Sequence, residues 1–109
     1  MNDYAKKTFT LELAKLEDYV AENTEFTVNF IATGYPVKIA FTPREPDQTA
    51  LYETGGSPLN LLISVGIETE VTTEAKDAVP AAVLKKLISL SEKVANAYYQ
   101  AYWESEGSL

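Results

Sequence analysis

Four carboxylates, Glu68, Glu70, Glu74 and Asp77, fall close together in the middle of the chain. Oxygen ligands at such spacing could hold a hard cation, and Glu68 and Glu70, two apart, would share one face of a strand. No glycine-punctuated loop or EF-hand spacing accompanies them, so a solvated acidic patch at a strand end is the favoured reading and no metal is expected. The chain has no histidine and no cysteine. Nucleophilic catalysis would therefore need a Ser-Lys or carboxylate arrangement, and neither GxSxG nor SxxK with its partners is present. The stretch Thr54-Gly55-Gly56-Ser57-Pro58 lacks the lysine of a phosphate-binding loop and reads as a turn. No enzyme and no cofactor is expected.

The chemistry that does stand out is aromatic. Tyr98, Tyr99, Tyr102 and the chain's only tryptophan, Trp103, crowd one short stretch. On a helical wheel Val83, Leu84, Leu87, Leu90, Val94, Tyr98, Ala101 and Tyr102 share one broad apolar face. Tyr99 and Trp103 fall beside that face, four residues apart, with Ile88 on the same flank. The first helix, a second copy of the chain or another protein could cover this flank. Tyrosine and tryptophan are enriched among binding hot spots, which makes Tyr99, Trp103 and Ile88 candidate binding residues.

These residues need elements to position them. Phe9, Leu13, Leu16 and Val20 recur at helical spacing, predicting a helix over 8–22 that Asn23 could end, although Thr8 to Leu13 also alternates as a strand would. Phe26, Val28 and Phe30 alternate with polar neighbours, and Val37, Ile39 and Phe41 repeat the pattern after Gly34 and Pro36, predicting an antiparallel hairpin. Residues 42–58, with Pro43, Pro46, Pro58 and paired glycines, read as a long loop without a ladder of its own, either functional or mobile. It carries Arg44, the only arginine, and Tyr52, both candidate contacts. Leu59, Leu61, Ile63, Val65 and Ile67 alternate in a third strand, where Gly66 marks a bulge or a close backbone approach. A polar connection over 72–77 leads to Pro80 and the long second helix. The expected fold is α+β, ordered α-β-β-β-α, a three-stranded antiparallel sheet with two helices packed on one face, as one domain over 1–109. Leu61, Ile63, Val65, Leu87 and Val94 are the expected core.

Charge narrows the partners. Nine basic and sixteen acidic residues leave the chain at −7, a field that repels phosphate backbones, so no direct nucleic-acid binding is expected. No apolar run approaches membrane-spanning length, and the absence of cysteine suits a reducing compartment, so a cytoplasmic protein without membrane contact is expected.

The element order resembles that of the double-stranded-RNA-binding domain. That family places a basic cluster at the start of its last helix, where only Lys85-Lys86 stands here, and a Gly-Pro-His loop, echoed by Gly34-Tyr35-Pro36 without the histidine. The acidic balance opposes RNA binding. Topology and charge together are also similar to some phage anti-CRISPR inhibitors, which imitate nucleic-acid charge. The sequence thus points to a non-enzymatic interaction protein that binds another protein or itself. The alternative is an acidic nucleic-acid mimic, of phage or mobile-element origin, recognised through its carboxylates. A metal-dependent enzyme stands a distant third.

Overall fold

A computed structural model describes residues 3–32, 34–44, 53–54, 57–58, 61–73 and 79–103. Helix α1 spans Asp3–Asn23, beginning five residues before the start expected from its apolar spacing. The alternation over Thr8 to Leu13 does not make a strand, because the threonines are accommodated helically. Thr8 Oγ1 donates to the Tyr4 carbonyl and Thr10 Oγ1 to the Lys6 carbonyl, both at 3.0 Å, the back-bonding a hydroxyl makes inside a helix. At the other end Thr24 Oγ1 donates to the Val20 carbonyl at 2.7 Å and accepts from the Phe26 N–H at 3.1 Å. One hydroxyl thereby closes the helix and opens the first strand.

Strands β1 (Phe26–Ile31) and β2 (Val37–Pro43) form the expected hairpin, with Phe26 opposite Pro43 and Ile31 opposite Lys38. The segment read as a bare loop carries a two-stranded ribbon, β3 (Glu53–Thr54) and β4 (Ser57–Pro58). Gly55-Gly56 between the paired residues is the two-residue, glycine-rich spacing that hairpins favour, a signal outweighed in the sequence by the surrounding prolines. Residues 45–52, including Tyr52, lie outside the described residues, as do Glu74 and Asp77.

The third strand is shorter than its alternation suggests, and a fourth follows it. Strand β5 covers Leu61–Val65, a bend spans 66–68, and β6 covers Glu70–Thr73. The main sheet is therefore four-stranded and antiparallel, ordered β1-β2-β5-β6, not three-stranded. The break falls at Gly66, which packs against the β1–β2 loop: a Cβ there would stand 2.7 Å from the Pro36 Cβ, so the close approach requires glycine. Ile67 and Glu68 lie in the bend and Glu70 on the next strand, which removes Glu68 and Glu70 from a shared strand face. We expect Gly66→Ala to cost about 1–3 kcal/mol, the scale of overpacking against a rigid neighbour, as measured by urea unfolding.

Helix α2 (Ala81–Tyr98) follows Pro80 and runs into a π-helical turn, Tyr99–Trp103. Leu16 and Val20 of α1 and Leu87, Leu90 and Val94 of α2 join Val37, Ile39, Phe41, Leu61, Ile63 and Val65 in one core. The expected core residues Leu61, Ile63, Val65, Leu87 and Val94 are all buried. Two helices thus pack on the apolar phase of the sheet. The opposite phase carries Thr27, Asn29, Lys38, Ser64 and Thr72, as strict alternation requires.

Candidate functional site

The aromatic stretch divides differently from the wheel. Tyr99, expected on an outer flank, is only 9% exposed. Its hydroxyl accepts from the Val37 N–H at 2.8 Å and donates to the Val65 carbonyl. Val37 and Val65 face each other at the end of the β2–β5 ladder, so the hydroxyl sits in the closing rung between two strands. Burial pushes the Tyr99 phenol above its ordinary range, partly opposed by the Val37 N–H. The cover is the chain's own sheet, which was not among the three covers the sequence suggested.

The reason lies in residues that carry little hydrophobic signal. Ser91 and Ala95 are fully buried, and with Leu87 and Tyr99 they make a row at spacing four along the sheet-facing side of α2. Ala97 and Ala101 are buried on the other side of the stripe. A helix lying between a sheet and another helix buries more than half its circumference, and small residues mark such close approach without raising the apolar count. Ile88, assigned to the same outer flank, is half-buried against the core.

Tyr98 and Tyr102, expected inside the stripe, form a partly buried aromatic layer. Phe9 stands 5.3 Å from Phe30 and 5.7 Å from Tyr98, while Tyr98 stacks on Tyr102 at 5.1 Å between ring centroids. Such edge and offset contacts fasten the N-terminal half of α1 to the end of α2. Trp103 is described in its backbone, as the last residue of the π-helical turn, and its side chain lies outside what is described.

Arg44 is exposed, yet its side chain is tied back to its own chain. Its guanidinium donates to the Thr24 carbonyl and lies 3.4 Å from a Glu25 carboxylate oxygen. It stitches the α1–β1 connection to the end of β2, bordering a polar depression of about 290 Å³ that also includes Asn23 and Pro80. Glu68 and Glu70 are exposed. Among the described residues no group of three or more carboxylates is placed to hold a metal ion, and no helix is long and apolar enough to cross a membrane.

Of the large apolar side chains presented to solvent, Tyr4 and Leu11 stand on α1, whereas Tyr35 and Ile67 meet at the end of the sheet where the β1–β2 loop meets the β5–β6 bend. Ile67 is 90% exposed and Tyr35 is 43% exposed. Neither position hangs on a loose loop. Tyr35 packs on Tyr99 at 5.4 Å between centroids, and its neighbour Pro36 presses against Gly66. On the far side of the bend Thr69 Oγ1 donates to the Glu92 carboxylate at 3.0 Å, tying it to α2. An isoleucine and a tyrosine are thus displayed on two loops locked to each other, with Glu68 and Glu70 beside them. The sequence flagged Gly66 and the Gly34-Tyr35-Pro36 turn separately; only their pairing in the sheet brings the two together. Comparison with known proteins finds no family model, no curated protein and no solved structure that matches this chain.

Proposed function

We propose that the chain is a non-enzymatic protein-interaction domain whose contact surface is the sheet end bearing Tyr35 and Ile67. The observation that carries this reading is the near-complete exposure of Ile67 on a bend held from both sides. A branched apolar side chain in water forgoes its burial energy, and one held rigidly loses little entropy when a partner covers it. Tyr35 adds a flat amphipathic ring at the same end, the residue type favoured in interface centres. The carboxylates of Glu68 and Glu70 set the rim, so the fitting partner is a protein surface with an apolar pocket and basic edges.

A photo-crosslinking amino acid placed at position 67, in the native host, tests this. We expect discrete protein adducts from position 67, none from the control position Thr72, and loss of the adducts when Tyr35→Ala, Glu68→Lys and Glu70→Lys are added. Absence of any adduct from position 67 overturns the reading. The acidic-mimic alternative makes the carboxylates alone responsible: the adducts would then vanish with Glu68→Lys and Glu70→Lys and persist undiminished with Tyr35→Ala.

A further inference from the structure

The two edges of the main sheet are unequal. Strand β6 has four residues and begins with a charge, Glu70. Strand β1 has six residues, Phe-Thr-Val-Asn-Phe-Ile, with none of the lysines, prolines or inward charges that protect an edge from pairing. The hydrogen-bond phase of β1 follows from one contact. The Arg44 N–H donates to the Glu25 carbonyl at 2.9 Å, and Glu25 and Arg44 continue the β1–β2 register. Bonded and non-bonded pairs alternate along an antiparallel ladder. Thr27, Asn29 and Ile31 therefore aim their backbone groups at β2, while Val28 and Phe30 aim theirs outward along the edge.

The geometry points to a second copy of this chain pairing antiparallel with β1, about a twofold axis at Asn29, to make one continuous eight-stranded sheet. This surface is distinct from the sheet end bearing Ile67 and the inference does not depend on it. Centred on Asn29, the register sets Val28 of each copy against Phe30 of the other. The outward N–H and C=O of both residues are then satisfied reciprocally, with Val28 beside Phe30 on the core face, where both are only partly buried. Thr27 meets Ile31 on the opposite face, so no charge is brought against a like charge within the strand.

Helix α1 supplies the second half of the match. Lys7, Thr10, Ala14, Glu17 and Ala21 recur at spacings of three and four along one flank of α1, the seam a neighbouring helix reads. Glu17 and Ala21 border a groove of about 210 Å³ shared with Phe26, Thr27 and Val28, which places the flank above the β1 edge. Nearer the start of α1 a second groove, about 430 Å³, is lined by Lys6, Lys7, Thr10, Leu11 and Ala14 with Tyr102, and Leu11 is 55% exposed. The same twofold axis lays the two α1 helices antiparallel. The Lys6 and Lys7 end of one then faces the Glu17 and Asp18 end of the other, and small residues at Ala14 and Ala21 permit close approach. Each copy carries −7, yet the contact strand is uncharged and the helix flanks are of opposite sign where they meet.

Sedimentation equilibrium of the full chain is the test. The expected species has twice the 12.0 kDa chain mass. Val28→Pro removes an outward donor at an edge position that tolerates proline, and should weaken the dimer by about tenfold or more while the fold persists. The double variant Lys6→Glu, Lys7→Glu should weaken it by about tenfold, and so should Glu17→Lys, Asp18→Lys. Mixing the two charge variants should restore association, since each copy then offers the sign the other lacks. If Val28→Pro unfolds, the charge variants decide alone. A wild-type monomer throughout the micromolar range, or charge variants that fail to restore each other, overturns the proposal.

Discussion

Tyr99→Ala is expected to lower the unfolding free energy by about 3–5 kcal/mol, the cost of deleting a large buried aromatic from a packed core. Tyr99→Phe isolates the hydroxyl and should cost about 1–3 kcal/mol, because the Val37 N–H and the Val65 carbonyl lose the group bridging them. The two are ladder partners, so partial closure of the rung places the loss toward the lower end. The pH dependence supplies a second check. Burial raises the Tyr99 phenol above its ordinary value, so the folded chain holds this proton more tightly than the unfolded one. The stability it contributes is fully present below the unfolded value of about 10 and is lost as pH rises through the folded one. Wild-type stability should therefore fall more steeply than that of Tyr99→Phe on the alkaline side. Parallel curves for the two proteins would show that the hydroxyl is not held in the closing rung.

Leu87→Ala is expected to cost about 2–5 kcal/mol in the same denaturant measurement, the range for emptying a leucine site in a core that can relax only in part. Leu87 is fully buried and belongs to the core that both helices share with the sheet. A loss under about 0.5 kcal/mol, the scale of surface substitutions, would mean that α2 presents another face to the sheet.

Both effects are intramolecular, which changes how the aromatic stretch is understood. A tyrosine that closes a strand ladder and a pair that fastens α1 to α2 are structural parts, which is why the proposed contact surface is the sheet end bearing Tyr35 and Ile67. Ile67 stands alone in the sequence as the last member of an alternating run, and the alternation itself suggests an inward position. The bend over 66–68 leaves it exposed instead, at a point where Gly66 lies too close to Pro36 to carry a side chain.

Strong periodicity was enough to read the two helices, the β1–β2 hairpin, the strand at Leu61 to Val65 and the core members Leu61, Ile63, Val65, Leu87 and Val94, since burial of one face imposes a period that the residues must carry. The sequence also located, without explaining, the Gly66 position and the aromatic end of α2. The fourth strand escaped because Glu70 to Thr73 is short, polar on one side and at a sheet edge, where half the burial that would mark it is absent. The start of α1 escaped because its first turns meet solvent on most sides. The inward turn of Tyr99 was settled by tertiary packing alone: a helix wedged between a sheet and another helix buries small residues such as Ser91, Ala95 and Ala97, which carry little hydrophobic signal, and so the edge of its buried arc cannot be drawn from a wheel. Edge identity is decided the same way, since β1 and β6 become edges only when β5 pairs with β2, a contact between segments far apart in the chain.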